Sequence, residues 1–271
     1  MDNLFLVKLA LSFVIGGSYI AFTIWVSEKF GSRLGGLFIG LPSTILVSLI
    51  FIAWTQNTDA AVQSTPVVPA AIAACSLFVV AFIYALRFGR LAAILSATTV
   101  WFMLSLPLAM FSLNNIFISV ALGLAFVGLS IFILRKFPHR KLERFHLSKR
   151  ELLFRVMFSG SFVAIAVLFG KMLGPLWGGV FASYPAAFSS SLLLLEGKHG
   201  TDFASSVAKT MPYGSLTNIV FATAFFFVVP VIGMVSGTIA VYLLTVLCAA
   251  AVNKLVFKNE EEIISPPPKL P

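Results

Sequence analysis

The stretch Gly35–Ser48 reads GGLFIGLPSTILVS, and Gly178–Ser191 reads GGVFASYPAAFSSS. Gly-Gly, Phe, Pro and Ser return at one fixed offset of 143 residues. The register extends outward without a gap: Gly17-Ser18 meets Gly160-Ser161, Gly31 meets Gly174, Thr58-Asp59 meets Thr201-Asp202, Pro69 meets Pro212 and Phe78 meets Phe221. Over residues 17–82 there are 17 identities in 66 positions. Apolar segments share composition, so a matched Ala or Leu carries little weight. Paired Pro, Asp and Gly-Gly carry more, and they mark a duplicated unit.

Composition sets the medium in which that unit folds. The chain is 59% hydrophobic and only 11% charged, with 28 Phe in 271 residues. A soluble domain carries roughly 25% charged residues, so a water-facing surface cannot be built here, whereas a lipid-facing one needs no charge. The net charge of +9 is confined to short polar segments, which excludes a nucleic-acid surface and fits loops beside membrane spans. Cys75 and Cys248 lie inside apolar runs without metal or disulfide spacing. No metal or cofactor is expected. The start, MDNLFLVKLALSF, lacks a basic leader and a cleavage site and reads as a first permanent span.

About 20 apolar residues cross a bilayer as a helix. The apolar runs predict an all-α polytopic integral membrane protein of about nine transmembrane helices, near 4–27, 34–54, 68–88, 91–113, 115–134, 151–170, 176–195, 211–231 and 234–256. Tight turns are expected at Gly89-Arg90 and at Gly233. The organisation is then residues 1–113 as repeat 1, 114–150 as a linker span with a basic loop, 151–257 as repeat 2 and 258–271 as a disordered tail. With this span count, 17 of the 19 basic residues fall on one side, leaving Lys8 and Lys171 on the other. The positive-inside bias puts the N-terminus outside and the C-terminus in the cytoplasm, in a cytoplasmic (inner) membrane. Four spans and one linker span reverse the second repeat, giving an inverted 4+1+4 plan.

Inverted repeats suit a secondary transporter, because two halves that exchange shapes alternate access to a site between them. The expected function is therefore alternating-access transport of a small solute or lipid-linked molecule, without catalysis. The alternatives are an intramembrane lipid-modifying enzyme or a non-catalytic assembly partner. Membrane lipid and an unidentified small-molecule substrate are the expected partners, and a homo-oligomer stays open.

The candidate substrate-binding or gating residues follow from the repeat. Gly35, Gly36, Gly178 and Gly179 permit close helix contact, and Gly36 and Gly179 are expected to meet across the pseudo-two-fold axis. Pro42 and Pro185 each remove a backbone donor near mid-membrane. Ser43, Thr44, Ser48, Ser189, Ser190 and Ser191 offer hydroxyls beside them, or pack as small residues between helices. Asp59 and Asp202 are either gates at opposite faces or, with Thr58 and Thr201, helix N-caps. Asn218 is the most interior amide and is expected to bridge two helices. Lys8, Lys171, Glu28, Arg155 and Glu196 stand near span ends and are expected to reach the interface. The scarcity of deeper charge disfavours a strongly charged solute held at the midplane by a counter-ion.

The inverted plan makes a direct prediction about sidedness. With Cys75 and Cys248 replaced by serine, a single cysteine at position 59 should react with a membrane-impermeant maleimide in intact cells. One at position 202 should not, and equal labelling of both would contradict the inversion.

Overall fold

In a computed structural model, the described residues are 3–39, 41–137 and 148–264, with the side chains of 24–39, 199, 253 and 255–264 outside the description. Every regular element among the described residues is helical. In chain order the α-helices are α1 (Asn3–Ile39), α2 (Ser43–Thr55), α3 (Thr58–Gln63), α4 (Val68–Ala85), α5 (Arg90–Met110), α6 (Ile116–Leu134), α7 (Lys149–Met172), α8 (Pro175–Ala182), α9 (Ala186–Ala208), α10 (Met211–Ile232) and α11 (Met234–Ile264), with a 3-10 turn at Leu86–Phe88 between α4 and α5. Among the described residues, eight helical stretches are long and apolar enough to cross a membrane, and Ser43–Thr55 is a shorter apolar helix. The chain is an all-α polytopic membrane protein. Its outward-facing side chains agree: Leu91, Met103, Phe111, Phe117 and Val235 are largely exposed, a surface compatible with lipid and not with water.

The turns are made where the backbone permits them. Gly89 (φ 98°) leads into α5 and Gly233 (φ 85°) into α11, so both expected tight turns occur. Gly174 (φ 104°) separates α7 from α8, and Gly200 (φ 81°) divides α9 into two arms. Helix α7 begins with a capping box in which the Ser148 hydroxyl accepts from the Glu151 N–H and the Glu151 carboxylate accepts from the Ser148 N–H.

Two segments depart from the expected boundaries. Helix α1 continues through the turn expected between residues 27 and 34. It does not run straight, because the Lys8 ammonium donates to the Trp54 carbonyl at the far end of α2 (2.8 Å). A straight helix would carry Ile39 roughly 46 Å from Lys8, and α2 returns only about 20 Å. The reversal is therefore made inside a helical run. At the other terminus α11 is helical to Ile264, six residues past the expected start of the disordered tail at 258. The remainder of the tail, and most of the 135–150 loop, lie outside the described residues.

Helix α4 is the centre of the molecule. Its Ala-rich first half packs without exposure, and it touches α5, α6 and α10. The Ala70 N–H donates to the Ser119 hydroxyl of α6, and the Ser76 hydroxyl donates to Ser215 of α10. The other close seam is between α1 and α7. A methyl group added to Gly160 would lie 2.6 Å from the Phe13 carbonyl oxygen, and one added to Gly17 would lie 2.8 Å from the Val156 carbonyl oxygen. The helices cross backbone to backbone, as small residues allow in a bilayer.

That seam predicts a sharp contrast. Gly160→Ala should cost about 1–3 kcal/mol through overpacking. Gly128→Ala, whose added methyl would meet nothing within 4 Å, should be neutral or slightly stabilising. Reversible unfolding in mixed micelles, followed by circular dichroism, measures both.

Candidate functional site

The chain breaks twice in the same way. At Leu41–Pro42–Ser43 the Ser43 N–H donates to the Leu41 carbonyl (2.8 Å), with Pro42 at φ −75°, ψ 60°. At Tyr184–Pro185–Ala186 the Ala186 N–H donates to the Tyr184 carbonyl (2.7 Å), with Pro185 at φ −76°, ψ 50°. Both are inverse γ-turns, the tightest reversal a proline favours. Each proline carbonyl then accepts from the residue four further on, Leu46 or Ser189, which starts the next helix. The two prolines thus end one helix and begin another instead of kinking a continuous one.

The second break is enclosed by aromatic side chains. Tyr184, only 5% exposed, stacks on Phe162 of α7 with ring centroids 3.6 Å apart. Trp101 of α5 meets it edge-on at 5.1 Å, and Phe102 and Phe158 lie within 6.3 Å. Its hydroxyl is 3.5 Å from Thr98 Oγ1. The same segment is tied to α4, since the Cys75 thiol donates to the Ser183 carbonyl, while the Trp101 indole N–H donates to the Ala71 carbonyl. Of these aromatic residues only Tyr184 lies within the repeated stretch, and it is not one of its matched positions. Tyr184 stands where the first copy has Leu41, and that aromatic residue directly before the matched proline was the available signal.

The hydroxyls beside the breaks are mostly turned into their own helix. Ser189, Ser190 and Ser191 donate to the carbonyls of Pro185, Ala186 and Ala187. Ser43 and Thr44 open α2 half-buried, and the Ser48 hydroxyl is fully buried without a hydrogen-bond partner. Asn218 does not bridge helices through its amide N–H, which donates to Gly214 one turn back in α10.

The glycines and aspartates also differ from expectation. Gly179 faces not another glycine but the Ser64 carbonyl, 1.9 Å from where a methyl group would stand, with Val67 beside it. Gly178 packs on Gly170 and Ile52. The surroundings of Gly35 and Gly36 lie outside the described residues. Neither Thr58 nor Asp59 caps α3, because the Asn57 carboxamide accepts from the Ala60 N–H (2.8 Å) and does so itself. Asp59 is exposed in the first turn of α3, and Asp202 is exposed just beyond Gly200.

Charged contacts instead close the two ends of the bundle. At one end Lys198 of α9 pairs with Glu151 of α7 at 2.7 Å, Arg90 of α5 pairs with Glu196 of α9, and the Lys209 ammonium donates to the Phe137 carbonyl. At the other, Lys8 holds the Trp54 carbonyl and lies 5.1 Å from the Trp54 ring centroid. Arg155 does not reach for the interface. It is 8% exposed, and its Nη2 donates to the Ser191 hydroxyl.

The comparisons with known proteins are narrow. The chain is similar over residues 9–116 to a family of proteins of unknown function, DUF3147. No curated protein and no solved structure matches it.

The aromatic enclosure sets a stability test. Tyr184→Ala should cost about 3–5 kcal/mol, the range for removing a buried ring. Tyr184→Phe, which loses only the long contact to Thr98, should cost under about 1 kcal/mol. Unfolding midpoints in mixed micelles distinguish them.

Proposed function

We propose that the protein is a secondary transporter, not an enzyme, in which two inverted repeats, residues 1–113 and 151–257, alternate access to a space bounded by the two proline breaks. The observation that carries this reading is the α1–α7 crossing. At the 143-residue offset Phe13 corresponds to Val156 and Gly17 to Gly160. The contact of Phe13 with Gly160 and that of Gly17 with Val156 are then each other's mates, as in an isologous contact about a two-fold axis.

Other observations point the same way. The helix starts at Ser43 and Val68 recur at Ala186 and Met211 at that offset, and Arg90 recurs at Met234 one residue later. The inverse γ-turns recur at Pro42 and Pro185. The family match ends at residue 116, close to the proposed end of the first repeat. Helix α6 has no counterpart, as a linker span requires, and the end of α1 together with α2 supplies the ninth crossing. All the described basic contacts that the charge bias places in the cytoplasm lie at one end of the bundle.

The end contacts become paired latches in this scheme. Lys8 corresponds to Glu151, and Trp54-Thr55 to Gly197-Lys198. One latch joins α1 to α2 and the other α7 to α9, at opposite ends. These positions take over the gating role first assigned to Asp59 and Asp202. Each exposed contact is worth up to about 1 kcal/mol, enough to shift a two-state population severalfold.

The test uses single cysteines at Ser43 or Ser189 in a background lacking Cys75 and Cys248. Glu151→Gln with Lys198→Gln should raise labelling from the cytoplasmic side severalfold. Lys8→Met should raise it from the outside. Changes in the same direction, or none, would remove the support for alternating access.

A further inference from the structure

Helix α6 packs on α4 and α10. Gly123 lets it settle there, because a methyl group at that position would stand 2.7 Å from the Pro69 carbonyl oxygen and 3.2 Å from Ile219. Beside the α6–α10 seam runs a groove of about 420 Å³, within the size range of ligand pockets. Val120 and Leu124 of α6, Ile219, Thr223 and Ala224 of α10 and Cys248 of α11 line it. The Thr223 hydroxyl donates to the Ile219 carbonyl of its own helix, so the wall is apolar. Leu124 and Phe227 are about half exposed on its rim, which opens it to the lipid-facing surface.

The groove-lining face of α6 leads to cations. Gly128, Ile131 and Arg135 follow Leu124 at helical spacing, and a methyl group added to Gly128 would meet nothing within 4 Å. Leu124 is near the middle of α6, and Arg135 lies about 16 Å further along the helix axis, just past its end. Arg135 and Lys136 are exposed, and among the described residues neither has an acidic partner. Glu151 and Glu196, at the same end of the bundle, are paired with Lys198 and Arg90. The Lys209 ammonium, donating to the Phe137 carbonyl, ties the end of α6 to the start of α10. Tyr84 meets Phe137 edge-on at 5.4 Å, so the exposed Arg87, one turn after Tyr84, stands at the adjoining end of α4.

An apolar groove at mid-span, with cations one leaflet's depth away, has the proportions of a phospholipid. The hydrocarbon core is about 30 Å thick, so the chains of each leaflet occupy about 15 Å. Charge complementarity selects an anionic headgroup. A second copy packed on this face in the same orientation would set Arg135 and Lys136 beside their own equivalents, which like-charge repulsion opposes. We propose that the groove between α6 and α10 seats one acyl chain of an anionic phospholipid whose headgroup lies against Arg135 and Lys136. This goes beyond the transport reading and does not depend on it.

The experiment uses the full-length protein in uncharged detergent micelles. Phosphatidylglycerol and phosphatidylcholine are added in equal amounts, and native mass spectrometry counts the lipid retained. One phosphatidylglycerol should be held saturably and in preference to phosphatidylcholine. Arg135→Gln with Lys136→Gln should weaken that preference about tenfold or more. Lys149→Gln with Arg150→Gln removes the same charge from exposed positions on α7, outside the groove, and should leave the preference unchanged. Ala224→Trp, which fills the groove, should release the lipid, and if that variant does not fold, Ala224→Leu decides. Equal losses in the two double variants would mean diffuse surface charge and overturn the proposal. Retention unaffected by the Ala224 substitutions, no preference for phosphatidylglycerol, or a dimer mass without bound lipid would overturn it as well, the last by making a second copy the occupant.

Discussion

Two helices in a bilayer gain nothing from hiding apolar surface from lipid, because lipid is apolar too. They hold together where their backbones can come close enough for dispersion and dipole contacts to outweigh contact with acyl chains. The crossing of α1 and α7 meets that condition with Gly17 and Gly160, whose missing side chains let each backbone rest on a carbonyl of the opposite helix. Much else is positioned from this seam. It fixes α7, and α7 in turn presents Phe158 and Phe162 to Tyr184 and Arg155 to Ser191. Gly170, further along α7, lets α8 approach through Gly178.

The breaks at Pro42 and Pro185 pose the opposite problem. Irregular backbone at membrane depth is tolerated only where protein or a water-lined cavity satisfies its polar groups. Here the γ-turn hydrogen bond, the proline carbonyl that starts the next helix and the Cys75 thiol on the Ser183 carbonyl absorb most of that demand. The serines after Pro185 bond back one turn within α9, so the buried Ser189 and Ser190 and the half-buried Ser191 place their hydroxyls there without needing water. A polar break and a dry bundle are thereby compatible.

Much of the backbone was legible because glycine and proline act locally. Gly89 and Gly233 turn the chain where they occur in sequence, and Pro42 and Pro185 interrupt it. The helical run through residues 27–34 was not legible, because its charged residues and Gly31 read as a turn by composition although the chain is helical there. Partner choice was the other blind spot. Whether Gly179 meets glycine or the Ser64 carbonyl, whether Asn57 or Thr58 caps α3, and whether Asn218 bonds across or back depend on geometry that spacing alone does not encode. Arg155 shows the same limit. Its place in an apolar run is visible in the sequence, yet only the fold shows that it turns toward α9 and not toward the interface.

The differences between corresponding positions are then as informative as the identities. Leu41 corresponds to Tyr184, Ser12 to Arg155 and Lys8 to Glu151. In each of the first two pairs the polar or aromatic member lies in the second half, while Ser12 merely bonds back to the Leu9 carbonyl and Ser48 is left without the donor that Ser191 receives. A perfectly symmetric pair of halves would present the same chemistry to both sides of a membrane, so neither side would be distinguished for binding or release. Concentrating the cation and the aromatic wall in one half keeps the packing that both halves share, set by Gly17, Gly160 and the two prolines. The shared glycines and prolines set how the helices pack, and the residues that differ between the matched positions set which side chains stand around the Pro185 break.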